Sequence, residues 1–125
     1  MKKLLSILFL LFAVNSFSQC LLKAEIKYKR SDLSWSKKYN VEVNFMGGSD
    51  LNKATGTSNY YIYGVYAIIF WDDDEVTIID IANDNLLSCS ASSIDCDCIK
   101  GMSWNFNGKD QNGTYWEVCA KDYCY

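Results

Sequence analysis

The chain has 125 residues, 12 basic and 15 acidic side chains, a formal net charge of −3, no histidine, no proline and six cysteines. Net acidity argues against a nucleic-acid role, which needs a basic footprint for the phosphates. The absence of histidine removes Ser-His-Asp and Cys-His catalysis.

Met1-Lys2-Lys3, an apolar stretch from Leu4 to Val14 and the small residues flanking Phe17 read as the three parts of a secretory leader, cleaved after Ser18. The apolar stretch is shorter than the ~20 residues a spanning helix needs. The expectation is therefore a signal peptide over 1–18 with a bacterial look, then a single disulfide-stabilised β-domain over 19–125 that is secreted or periplasmic. Loss of Lys2 and Lys3 would move the formal charge from −3 to −5. Lipidation of Cys20 would anchor the chain to a membrane, but Gln19 stands where a lipoprotein signal places a small residue, so membrane attachment is not expected.

Leu22 to Arg30 alternates with Leu22, Ala24, Ile26 and Tyr28 on one face, which predicts an amphipathic strand. Tyr39 to Phe45 alternates likewise, with Tyr39, Val41, Val43 and Phe45 inward. Pairing the two with Lys27 opposite Glu42 brings opposite charges together, worth ~0.2–1 kcal/mol. Six of the ten basic residues after the leader fall between Lys23 and Lys38.

Met46 to Asn59 is rich in glycine and polar residues and is expected to be a mobile loop turning at Gly47-Gly48. Tyr60 to Trp71 is aromatic and β-branched, so it reads as a long strand. Asp72-Asp73-Asp74-Glu75 then forms an exposed tip, and Val76 to Ile81 returns with Trp71 opposite Val76 and Ile69 opposite Ile78. Both faces of the long strand are apolar, so both require cover, expected from a second sheet and a disulfide-tied loop.

Ala82 to Cys98 reads as a second long connection held by cysteines. Met102 to Phe106 and Thr114 to Val118 flank a segment containing both Asn-Gly dipeptides, a strong hairpin signal. The expected register sets Trp104 opposite Trp116 and Met102 opposite Val118. Six strands without a helical pattern or internal repeat predict an all-β fold: a small antiparallel β-barrel or sandwich, with the barrel preferred.

Cys20, Cys89, Cys96, Cys98, Cys119 and Cys124 all lie after the leader, and an even number in an exported chain implies a disulfide framework. Zinc is the competing use, but Cys96-Asp97-Cys98 is tighter than a C-x₂-C knuckle. Six cysteines allow 15 connectivities; the preferred one ties Cys20 to Cys124 and pairs Cys89, Cys96, Cys98 and Cys119 among themselves. No metal or other cofactor is expected: the acidic tip and Asp110-Gln111-Asn112-Gly113 lack the further ligands of a calcium loop. Asn112-Gly113-Thr114 is formally a glycosylation sequon, to which a bacterial-looking leader gives no use.

Catalysis is not expected, because the carboxylates of the tip lack a cleft that would tune an acid–base pair. The functional expectation is non-catalytic binding of an extracellular or periplasmic protein or glycan. One form is an inhibitor or protective protein using the Met46 to Asn59 loop. The other is a carbohydrate or cell-wall binding module using exposed aromatics, with Tyr61, Tyr63, Trp71 and Tyr115 as the candidate surface.

Overall fold

A computed structural model of the protein describes residues 20–81, 96–100 and 105–120. Its six strands are β1 (Leu21–Tyr28), β2 (Tyr39–Gly47), β3 (Val65–Phe70), β4 (Val76–Ile81), β5 (Asn105–Asp110) and β6 (Tyr115–Ala120). Each pairs antiparallel with the next, and β6 pairs with β1, so the sheet closes into a barrel. Closure removes the unpaired edges of an open sheet. Helix α1 (Gly48–Thr55) lies between β2 and β3, and helix α2 (Cys96–Lys100) precedes β5. Residues 1–19, 82–95, 101–104 and 121–125, including Cys89, Trp104 and Cys124, lie outside the described residues.

The alternation in the first two strands sets the barrel interior as expected. Ala24, Ile26, Val43 and Phe45 are buried in the interior core, and Leu22, Tyr28, Tyr39 and Val41 pack against it. The register differs from expectation. Leu22 faces Val43 and Lys23 faces Glu42, four residues from the pairing inferred for Lys27. The inferred and observed registers both keep the apolar faces together and both oppose a lysine to Glu42, so charge pairing alone could not separate them. The partner of Lys27 is Glu117 on β6, directly opposite in the ladder and 3.8 Å away.

The strand expected from Tyr60 begins only at Val65. Its inward residues Val65, Ala67 and Ile69 are buried in the barrel. On the outer face Tyr66 and Ile68 pack with Met46, Leu51 and Ala54. The second face is therefore covered by α1, in the segment expected to be a mobile loop. Leu51 and Ala54 are three apart on one helical face, Asp50 and Lys53 suit the two helix ends, and Gly56 adopts φ 66° at the C-cap. Asn52 fastens the helix to the next turn, accepting from the Tyr60 amide and donating to its carbonyl, each at 2.9 Å. Tyr66 Oη accepts from the Tyr61 amide at 3.0 Å. Burial pushes the hydroxyls of Tyr60 and Tyr66 above the ordinary tyrosine value.

At the acidic tip Trp71 N donates to Glu75 O and Phe70 faces Val76, one residue from the expected register. Asp74 at φ 63° supplies the left-handed residue of a three-residue loop. In the last hairpin only the second Asn-Gly is the turn, with Gly113 at φ 83°. Asn107-Gly108 instead continues β5, so Phe106 faces Val118 and Gly108 faces Trp116, in place of the expected Trp104–Trp116 pair. Glycine is required at 108: a Cβ there would fall 1.8 Å from the Asp80 carbonyl oxygen on β4. The β4–β5 ladder is short, and the Gln111 side chain extends it by accepting from Ile78 N and donating to Val76 O.

Cys20 bonds to Cys96 with Cα atoms 5.2 Å apart, which corrects the expected link to Cys124. The up-and-down topology explains it, because the connection from β4 to β5 returns to the end where β1 begins. Ile99 of α2 is fully buried in the interior core beside this bridge. Cys98 and Cys119 are also disulfide-bonded, and no described cysteine is free.

Leu51→Ala tests the helix directly. A fully buried leucine should cost about 2–5 kcal/mol in urea unfolding; a change below about 0.5 kcal/mol, normal for an exposed loop, would return the segment to a loop.

Candidate functional site

The barrel has two unlike ends. The end where β1 begins carries the Cys20–Cys96 bridge and the α1 connection. At the other end the chain passes through the β1–β2 loop and the two tight turns after β3 and β5. Tyr28 ends β1, Tyr39 begins β2, Trp71 follows β3 and Trp116 lies near the start of β6, so alternation and strand length bring four inward aromatic residues to this hairpin end.

These rings form one cluster. The Tyr28 centroid is 5.2 Å from that of Trp116 and 6.5 Å from that of Tyr39. Trp71 lies 6.0 Å from Tyr39, edge to face, and 6.3 Å from Trp116 with ring planes 36° apart. The four rings, Thr77, Asp72, Asp73 and Glu75 line a cavity of about 470 Å³, within the size range of small-ligand sites. Asp72, Asp73 and Glu75 are exposed, as expected of the acidic tip, and border this cavity.

Both indoles are held by hydrogen bonds inside the protein. Trp71 Nε1 donates to Thr77 Oγ1, and Trp116 Nε1 donates to Asp110 Oδ2, each at 2.8 Å. Asp110 Oδ1 accepts from the amides of Asn112 and Thr114, so the same carboxylate shapes the turn and orients the tryptophan. Both indole N–H groups are therefore satisfied within the protein. Among the described residues no lysine or arginine lines the cavity. Lys37 stands close by, its ammonium 5.1 Å from the Tyr39 ring centroid.

The four aromatic residues singled out from sequence do not form one surface. Tyr61 and Tyr63 lie in the α1 connection and are 67% and 66% exposed, with their rings crossed at 72° and so not coplanar. Trp71 is half-buried in the cluster at the hairpin end. Tyr115 is half-buried on the outer wall against Trp35, with centroids 6.1 Å apart. Lys27 and Lys29 lie 4.8 and 5.7 Å from the Trp35 ring centroid, so this outer group is internally satisfied. Alternation places Tyr28 and Tyr39 on inward faces without marking them as a site, and Trp116 has no signal beyond its hairpin; the positions of all three at strand ends, beside the acidic tip, distinguish them. Among the described residues no three acidic or cysteine side chains converge to hold a metal ion.

No protein-family model, curated protein or solved structure matches the chain. The functional reading therefore rests on the residues themselves.

Thr77→Val removes the acceptor for Trp71 while preserving side-chain shape. Loss of one hydrogen bond should cost about 0.5–1.5 kcal/mol and speed exchange of the Trp71 indole proton, leaving that of Trp116 unchanged. Equal exchange in both proteins would show that the hydrogen bond does not hold the ring.

Proposed function

We propose that the protein is an exported, non-catalytic binding protein that receives a side chain of a protein partner in the aromatic cup at its hairpin end. The observation that carries this reading is the cavity of about 470 Å³ walled by Tyr28, Tyr39, Trp71 and Trp116. Ring faces fixed before binding lose little freedom on association, which favours recognition. The Cys20–Cys96 bridge is compatible with an oxidising compartment.

The shape of the cup favours an inserted group over a stacked glycan. Trp71 crosses Tyr39 at 82° and inclines to Trp116 at 36°, whereas a sugar platform needs broad, aligned ring faces. The exposed Tyr61–Tyr63 pair is also crossed. The inhibitor form that depends on a mobile Met46 to Asn59 loop loses support, because Leu51 and Ala54 are fully buried. Cavity chemistry also supports binding over catalysis: among the described residues the lining has rings, exposed acidic residues and one threonine, whose hydroxyl holds Trp71.

The test is an NMR titration of the ¹⁵N-labelled, oxidised protein with short peptides spanning the side-chain classes and, separately, with soluble cell-wall glycans. Peptide-dependent shifts of the Trp71 and Trp116 indole resonances, with Trp35 unmoved, are expected. Glycan shifts at these indoles without peptide shifts would favour the carbohydrate reading. No response at either indole would overturn the cup as a binding site.

A further inference from the structure

Resting on the reading of the cup as a binding site, we propose that the partner group it selects is an arginine guanidinium. The exposed Tyr61-Ile62-Tyr63 patch and the Trp35–Tyr115 pair are weaker sites. Nothing in the structure specifies what would cover the first, and the second is already occupied by Lys27 and Lys29.

Three features of the cup converge on a planar cation. Its lining includes two tyrosines and two tryptophans, and the negative quadrupole of an aromatic ring attracts a cation within about 6 Å of the ring centroid. Its two indole N–H groups are bound to Thr77 and Asp110 and are not available to satisfy an acceptor on a ligand. Among the described residues its charged lining residues are all acidic: Asp72, Asp73 and Glu75. A cationic group with several donors complements that set, whereas an acidic group would meet like charge.

Guanidinium fits better than ammonium for a physical reason. It is planar and weakly hydrated, so it can lie on an aromatic face while its edge donates to carboxylates in paired hydrogen bonds. Ammonium is more strongly hydrated and loses more on entering a ring-lined cup. The wall supplies the stacking surface and the acidic turn supplies the acceptors, both within one cavity. Lys37 already lies over the Tyr39 ring, 5.1 Å from its centroid, so it competes with an incoming cation there and leaves Tyr28, Trp71 and Trp116 as the stacking rings.

The test compares acetyl-Gly-Arg-Gly-amide with the same peptide containing citrulline, a neutral isostere of arginine, through the Trp71 and Trp116 indole resonances. Arginine should bind about tenfold more tightly than citrulline, and its advantage should shrink with added salt. The combined Asp72→Asn, Asp73→Asn and Glu75→Gln variant should lose that advantage, and Lys37→Met should increase it. Equal binding of the two peptides by the unaltered protein would overturn the proposal without relying on any variant. If neutral peptides or glycans shift both indoles and the arginine peptide does not, the cup remains a binding site and the guanidinium assignment fails. If no probe shifts them, both readings fail.

Discussion

The structure depends on β1 being paired along both of its edges. Ala24 to Tyr28 ladders with Ala120 to Trp116 on β6, while the opposite edge pairs with β2. This closure converts a six-strand meander with two free edges into a barrel with none. Lys27 and Glu117 mark the seam, with a matched charge pair one rung from the Tyr28–Trp116 end of the ladder. The interior is then enclosed by one continuous wall, filled by Ile26, Phe45, Ile69, Ile79, Phe106 and Val118.

Closure also produces the division between ends. In an up-and-down barrel of short strands, residues at strand termini on the inward face collect as a ring at each mouth. At one mouth α2 contributes Ile99 and the bridge from Cys96 to Cys20. At the other, the terminal inward residues are aromatic, contact one another and border a cavity. Tyr28 faces Trp116 across the β1–β6 seam itself. The candidate site is therefore a product of the same ladder that closes the fold.

Much of the barrel is legible in the sequence because half-buried strands impose a period of two. Tyr39-Val41-Val43-Phe45 and Leu22-Ala24-Ile26-Tyr28 identify their inward faces unaided. Register is less legible: a shift by an even number of residues preserves those faces, and β1–β2 and β5–β6 differ from the expected pairing by such shifts, whereas β3–β4 differs by one residue, which the apolarity of both faces of β3 left undetermined. The local chemistry that sets them is specific: a left-handed Asp74, a turn at Asn112-Gly113, and a second Asn-Gly consumed by the close approach of Gly108 to Asp80. Helix α1 was hidden because eight residues with only two core contacts give almost no periodic signal. Its presence is instead implied by the two-sided apolarity of β3, which demanded a cover. The cup was hidden because its parts come from four strands or strand ends, and only closure brings them together.

The most direct measurement of this account is the set of backbone nuclear Overhauser effects between β1 and β6 in the oxidised protein. Cross-strand contacts in the register that opposes Ile26 to Val118 and Lys27 to Glu117 are predicted. An absence of β1–β6 contacts while the other five ladders remain would mean an open sheet, and the enclosed core and the cup at its end would both be contradicted.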